Sequence, residues 1–156
     1  MNLETDQYWM AAALKQAELA YDAGEVPVGA VVVHQDRIIG RGHNQTEQLQ
    51  DPTAHAEILA IGAAAGTLAS WRLIDCTLYV TIEPCCMCAG AIVWSRLARL
   101  VYGAPDSKAG ACGSLYEITN DPRLNHRVPV TSGVREEEAA GWMKAFFGER
   151  RKREER

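Results

Sequence analysis

Residues 77–95 read TLYVTIEPCCMCAGAIVWS and combine a strand signal, a helix signal and a cysteine pair. Thr77–Thr81 alternates as a β-strand does, and a helix is predicted directly afterwards, over residues 85–95. Cys85 and Cys88 are about one helical turn apart, so both sulfurs can face the same point. The free N–H groups and the dipole of a helix N-terminus favour the thiolate form of cysteine. The segment therefore predicts a strand that leads into a pair of metal-binding sulfurs.

A second short segment, His55-Ala56-Glu57, precedes the cysteine pair by about thirty residues. We predict that its helix starts around Asp51-Pro52-Thr53, an acidic cap followed by proline, and runs through residues 55–65. One imidazole and two sulfurs make three ligands, and catalytic zinc sites use three so that water can take the fourth position. His55 and Glu57 can reach one site only where the helix begins, because positions i and i+2 do not share a helix face. There, Glu57 can act as general base and acid.

The remaining elements surround these two segments. We expect a helix over residues 6–23, a hairpin of Gly29–Val33 and Ile38–Gly40, a strand at Arg99–Gly103, a loop at Ala104–Ser114, a weak strand near Val128–Val130, and a last helix from about Glu136. This order indicates an α/β protein, a three-layer α/β/α sandwich around a central mixed five-stranded sheet. The 156 residues suit a single domain, 1–156, with a basic helical tail at about 149–156.

Composition narrows the class of protein. Lys and Arg number 16 and Asp and Glu 20, a net charge of −4, which excludes a wholesale polycation but permits a local nucleic-acid-binding patch such as the C-terminal ERRKREER. No apolar run approaches the roughly 18 residues that span a bilayer. The N-terminal MNLETDQYWM lacks the features of a signal peptide, so we expect a cytoplasmic protein without a membrane segment. In that reducing compartment, five cysteines, an odd number, favour thiolate chemistry or metal binding over a disulfide framework.

H-x-E followed by P-C-x-x-C is the signature of zinc deaminases. The chain resembles the cytidine-deaminase-like superfamily and, within it, the bacterial tRNA-specific adenosine deaminases. The resemblance to the tRNA enzymes is carried by EVPVGAVVV, HNQT, DPTAHAEILA, RLIDCTLYVTIEPCCMCAGAIVWSR, GSLYE, LNHRV and the closing FF with its basic tail.

The resemblance implies a hydrolytic deamination of adenosine to inosine at the wobble position of a tRNA anticodon stem-loop. It implies one Zn²⁺ per chain held by His55, Cys85 and Cys88, with Glu57 deprotonating water and protonating the leaving ammonia. It also implies a homodimer, for which the apolar AGAIVWS of residues 89–95 is a candidate contact surface.

Five further residues resemble the family's substrate contacts: Asn44, Asp106, Lys108, Phe147 and Arg150. Asn44, at the end of the hairpin, equally suits a turn. Asp106 and Lys108 suit either the RNA backbone or a solvated loop. Phe147 and Arg150 could offer an aromatic platform and a cation to splayed bases, whereas Phe146 is more simply a core residue.

Two alternative functions remain open. A deaminase of the same fold that acts on guanine or cytosine would use the same zinc chemistry but would not need the basic C-terminal helix. A non-enzymatic zinc module would need a fourth ligand, which Cys86, Cys112 or His43 would supply.

Overall fold

The computed structural model describes residues 2–155. Its helices are α1 (Leu3–Asp22), α2 (Thr46–Leu49), α3 (Ala56–Leu68), α4 (Cys86–Trp94) and α5 (Glu136–Glu154), with a short 3₁₀ helix at Ile118–Asn120. Its strands are β1 (Gly29–His34), β2 (Arg37–His43), β3 (Thr77–Ile82), β4 (Arg99–Ala104) and β5 (Val130–Thr131).

The five strands form one sheet in the order β2-β1-β3-β4-β5. Strand β1 pairs antiparallel with β2 and β3, whereas β4 pairs parallel with β3 and β5. The parallel β3–β4 connection passes through α4, as parallel neighbours require a crossover. The predicted mixed five-stranded sheet is confirmed.

Helices cover both faces of the sheet. Val31 and Tyr79 pack on one face with residues of α1 and α5. Val32 and Leu78 point to the other face, where they pack with residues of α3 and α4. Adjacent strand residues thus serve opposite cores, as the two-residue period of a strand dictates. The predicted three-layer sandwich is confirmed.

Two strand glycines bring α3 close to β2. A Cβ at Gly42 would lie 2.3 Å from the carbonyl oxygen of Ala56, and one at Gly40 would lie 2.4 Å from that of Ala60. Only a residue without a side chain permits such an approach. The glycines therefore fix the first turn of α3 against the sheet.

The predicted start of α3 at Asp51-Pro52-Thr53 is wrong. The helix begins at Ala56 with His55 as its N-cap. The side chain of Asp51 instead accepts hydrogen bonds from the Thr53 N–H at 2.8 Å and the Thr53 hydroxyl at 2.7 Å, closing a separate turn.

Other boundaries also differ from the sequence prediction. Helix α1 begins at Leu3 because the Asn2 side chain accepts a hydrogen bond from the Thr5 N–H at 2.9 Å and caps it. Strand β5 lies at Val130–Thr131 because the Val128 N–H bonds to the Thr119 carbonyl oxygen, outside the sheet. Helix α2 was not predicted from the sequence. Among residues 2–155, no helix is both long and apolar enough to cross a membrane.

Candidate active site

Helices α3 and α4 bring three potential metal ligands together where they begin. His55 and Cys85 are the two N-caps, each with extended backbone. The His55 Nδ1 atom lies 3.6 Å from the Cys85 Sγ and 3.6 Å from the Cys88 Sγ. The three ligand atoms lie within 4.8 Å of one another, and in the described part of the chain they form the one such cluster suited to a metal ion.

Protons are shared unevenly within this His55–Cys85–Cys88 cluster. Hydrogen bonding from the Cys88 thiol, supported by His55 and opposed by burial, lowers the pKa of Cys85 to about 3. The same hydrogen bond, together with burial, raises the pKa of Cys88 above its usual value. Cys85 is therefore already a thiolate, the form of cysteine that binds metals.

Glu57 lies in the first turn of α3 and lines the same cavity as His55 and Cys85, which we call the inner cavity, about 250 Å³ in volume. Its side chain is buried, with 4% of the residue exposed. Burial raises the pKa of Glu57 to about 7, although the neighbouring His55 opposes this. A carboxyl group of this kind is suited to exchanging protons near neutral pH.

Asn44 follows β2 and lines the inner cavity. The residue is 6% exposed, and its Oδ1 has no hydrogen-bond partner among the described residues. Leaving such an acceptor unpaired costs about 1–3 kcal/mol. The unpaired oxygen therefore indicates a ligand that donates a hydrogen bond there.

The inner cavity continues into a wider outer groove of about 640 Å³, since Ile82, Asp106 and Met143 line both. Lys108 and Phe147 line the outer groove. The Asp106 carboxylate accepts hydrogen bonds from the N–H groups of Lys108 at 3.0 Å and Ala109 at 3.1 Å, so it shapes its own loop.

The two predicted substrate contacts near the C-terminus, Phe147 and Arg150, lie in different surroundings on α5. Phe147 is 44% exposed, whereas Phe146 is buried, as expected for a core residue. The guanidinium carbon of Arg150 lies 4.6 Å from the centre of the Phe146 ring. Arg150 is exposed and lies outside the residues that line the inner cavity and the outer groove. Arg150–Arg153 continue α5 as an exposed basic segment, while Arg156 lies outside the described residues.

The residues suggested as a fourth zinc ligand lie outside the cluster. Cys86 is exposed. Cys112 is buried, with its Sγ 4.0 Å from the Pro84 carbonyl oxygen, and burial raises its pKa to about 12. Burial lowers the pKa of His43. The described residues thus supply three ligands to the cluster.

Two buried carboxylates, of which Glu83 lines the inner cavity, were not predicted from the sequence. Glu25, 2% exposed, accepts hydrogen bonds from the N–H groups of Glu47 at 3.1 Å and Gln48 at 2.7 Å, at the start of α2. Glu83, 3% exposed, lines the inner cavity and accepts hydrogen bonds from the loop that contains Asp106. The sequence offered one signal for Glu83, an acidic residue between the apolar end of the predicted strand and Pro84.

Burial works against ionisation of Glu83, but hydrogen bonds from Ser114 and from three backbone N–H groups hold its pKa below the usual value. Glu83 is therefore charged at neutral pH. It differs in this respect from Glu57, whose pKa is raised.

Comparison with known proteins places this site in a class. The model of the MafB19-like deaminase family matches residues 4–151. The fold is that of a deaminase of the cytidine-deaminase-like class. The tRNA-specific adenosine deaminase of Bacillus subtilis (strain 168) is 49% identical over 148 residues, which cover 95% of this chain and 92% of that protein.

Solved structures of deaminases also match this chain. A structure described as a tRNA:A34 deaminase, which carries out A-to-I editing at the wobble position of transfer RNA, matches with a TM-score of 0.84 and 45% identity over 86% of this chain and 98% of that chain. The guanine deaminase of Nitrosomonas europaea matches with a TM-score of 0.76 and 27% identity over 91% and 84%. This chain belongs to the family of tRNA-specific adenosine deaminases.

Proposed function

We propose that this protein hydrolyses adenosine to inosine at the wobble position of a tRNA anticodon stem-loop. The observation that carries the proposal is the buried carboxyl of Glu57, which shares one cavity with the His55–Cys85–Cys88 cluster. The family to which the chain belongs supports tRNA as the substrate.

The cluster fits one Zn²⁺ per chain, held by His55, Cys85 and Cys88. Nitrogen and sulfur are the ligands that zinc prefers, and three protein ligands are typical of catalytic sites. The low pKa of Cys85 supports the fit, because a thiolate binds the metal. When bound, zinc would act as a Lewis acid and make water more acidic.

Glu57 is the proposed catalytic residue. It takes a proton from the attacking water as the oxygen bonds to C6 of adenine, and delivers that proton to N1 of the ring. It then transfers the second proton of the water to the amino group as the C6–N bond breaks. Adenosine and water thus yield inosine and ammonia, and Glu57 returns to its starting state. The unpaired Oδ1 of Asn44 would accept a hydrogen bond from the bound nucleoside.

The proposed RNA-binding path leads from the inner cavity along the outer groove. The inner cavity is small, so the target base has to leave its stack, and single-stranded loops permit this at little cost. Asp106, Lys108 and Phe147 would contact the neighbouring nucleotides, and Arg150 with the basic tail at about 149–156 would contact phosphates.

We further propose a cytoplasmic homodimer in which residues 1–156 of each chain form a single domain. Within the candidate contact surface of residues 89–95, the side chain of Trp94 supports an apolar contact, since 66% of this large residue is open to solvent. Ala89, Ile92, Val93 and Ser95 are buried inside the chain and would not take part. A tRNA substrate supports the cytoplasmic location.

The function is tested by incubating the purified protein with a tRNA pool and sequencing for A-to-I changes. Free guanine and cytosine are assayed in parallel for release of ammonia. We expect inosine at an anticodon wobble position and little turnover of either base. Turnover of a free base with unchanged tRNA would instead identify a small-molecule deaminase.

A further inference from the structure

Glu83 directly follows β3 and holds the loop of residues 106–114 through both oxygens of its carboxylate. Its Oε1 accepts hydrogen bonds from the Asp106 N–H at 3.0 Å and from the Ser114 hydroxyl. Its Oε2 accepts hydrogen bonds from the N–H groups of Cys112 and Ser114, each at 3.0 Å. One buried side chain thus binds the loop at both of its ends.

The loop packs directly on this carboxylate. A Cβ at Gly110 would lie 2.3 Å from the Glu83 Cδ and 2.5 Å from the carbonyl oxygen of Asp106. The Gly110 N–H bonds to that same Asp106 oxygen at 2.8 Å, and the Ala111 N–H bonds to the Pro84 oxygen at 2.8 Å. The loop therefore turns around Glu83, and glycine at position 110 lets it lie this close.

The substrate side of the molecule depends on this loop. Asp106 lines both the inner cavity and the outer groove, and Lys108 lines the outer groove. The Asp106 backbone N–H is one of the groups bound by Glu83, and the Asp106 carboxylate in turn holds the Lys108 N–H. A continuous chain of hydrogen bonds thus joins Glu83 to the loop residues along the proposed RNA path.

We propose that Glu83 is a positioning residue for RNA binding, which fixes the 106–114 loop along the path to the inner cavity; this inference rests on the proposed function. Both carboxylate oxygens of Glu83 already accept two hydrogen bonds each from the loop. The residue therefore differs in role from Glu57 and acts on the affinity for RNA rather than on proton transfer.

The test is Glu83→Gln. An amide keeps one acceptor oxygen but turns an NH₂ group toward N–H donors. If the NH₂ replaces Oε1, the contact with the Asp106 N–H is lost, although the Ser114 hydroxyl can turn to accept; if it replaces Oε2, the contacts with the Cys112 and Ser114 N–H groups are lost. Losing about 1.4 kcal/mol of binding free energy corresponds to tenfold in affinity. We expect the KM for an anticodon stem-loop to rise about tenfold or more, with kcat changed less than about threefold. Zinc content should match that of the wild type.

Two variants serve as references. Glu117→Gln removes the same charge from an exposed residue close to the loop and should leave KM unchanged. Glu83→Asp keeps a charged acceptor on a shorter stem and should recover part of the affinity. Hydrogen–deuterium exchange gives a readout that needs no substrate, because the amides of Asp106, Cys112 and Ser114 should exchange faster in Glu83→Gln than in the wild type.

The outcomes separate this inference from the proposed function. A wild-type protein that leaves the stem-loop unedited would overturn the proposed function and this inference with it. Active wild type with an unchanged KM in Glu83→Gln, or a loss confined to kcat or zinc content, would overturn the inference alone. If Glu83→Gln does not fold, Ser114→Ala removes one donor from Glu83, and a KM equal to that of the wild type would then overturn it.

Discussion

Glu57 lies only two residues after His55, yet both line one cavity. His55 is the N-cap of α3, with extended backbone at φ −76° and ψ 153°, while Glu57 belongs to the first helical turn. The change of backbone conformation between them turns both side chains toward the cavity. A regular helix would direct positions i and i+2 to different faces.

Replacing Glu57 with glutamine is expected to abolish deamination without unfolding the protein. The amide cannot accept and deliver the protons, and positioned acid–base groups contribute about 10²–10⁴-fold to rates. Inosine formation on the stem-loop measures the loss, while metal analysis and thermal unfolding should match the wild type. Substantial remaining activity would contradict the role given to Glu57.

Metal removal should abolish activity reversibly. A chelator is expected to stop inosine formation, and added Zn²⁺ to restore it. Cys88→Ser should lower bound zinc well below one ion per chain, whereas Cys86→Ser, which changes an exposed neighbour, should retain it. Equal zinc content in the two variants would rule out Cys88 as a ligand.

Deleting residues 150–156 should weaken tRNA binding far more than turnover of free adenosine. The basic side chains in this tail would contact phosphates and release counterions, so the deletion should also flatten the fall of tRNA affinity with rising salt. Binding titrations at several salt concentrations check this. Equal losses on tRNA and free adenosine would argue for a small-molecule substrate.

Gly42→Ala should move α3 away from β2. The added methyl group would lie 2.3 Å from the Ala56 carbonyl oxygen, and overpacking of this kind costs about 1–3 kcal/mol of unfolding free energy. Because His55 and Glu57 begin this helix, activity should fall as well. Gly62→Ala is the matched control in α3, where no heavy atom lies within 4 Å, and alanine there should stabilise by about 0.5–1 kcal/mol. Denaturant unfolding that ranks the variants in the opposite order would contradict the close contact.

The partly buried ion pair of Asp6 and Arg99 should make the stability of the fold depend on pH in the acid range. Their charged atoms lie 2.7 Å apart, and hydrogen bonds from Arg99 and Tyr79 lower the pKa of Asp6 even though burial opposes this. A lowered carboxyl pKa stabilises the fold above the unfolded-state pKa, and this contribution is lost as pH falls through the folded-state value. Asp6→Asn should cost about 1.5–3 kcal/mol at neutral pH, because it removes charged hydrogen bonds between the Asp6 carboxylate and the partly buried Arg99 guanidinium.

Unfolding free energies measured from neutral to acid pH test this linkage. The difference in unfolding free energy between the wild type and Asp6→Asn should shrink as the pH falls below the ordinary pKa of aspartate. Asp22→Asn, an exposed change at the end of the same helix, should follow the wild type throughout. A constant difference between wild type and Asp6→Asn across the range would show that Asp6 is not the titrating group.

Local sequence patterns were enough to predict the sheet, its layers and the start of α4 at the cysteine pair, but not the start of α3. Each of these depends on signals within one element, such as strand alternation or cysteine spacing. The start of α3 was misplaced because Asp51-Pro52 has the composition of a helix cap, although Thr53 uses the Asp51 side chain.

Glu25 and Glu83 were missed for a different reason. Apart from the Ser114 hydroxyl on Glu83, their partners are backbone N–H groups 22 to 31 residues away, and almost every residue carries such a donor. No side-chain pattern therefore marks the contact. Helix α2 was missed for a related reason, since its four residues are too few to show a helical period and its N–H groups at Glu47 and Gln48 bind Glu25.

The residues at the end of β3 limit which insertions and deletions this protein can tolerate. Ile82 lines the inner cavity and the outer groove, and Glu83 binds the loop of residues 106–114. The Pro84 carbonyl oxygen accepts a hydrogen bond from the Ala111 N–H, and Cys85 is the N-cap of α4. Four successive residues thus make all of these contacts. An insertion or deletion among these residues would displace several of them from their contacts at once. Ser107, Lys108 and Ala109 are exposed at the tip of the 106–114 loop, so substitutions there would leave these four residues in place.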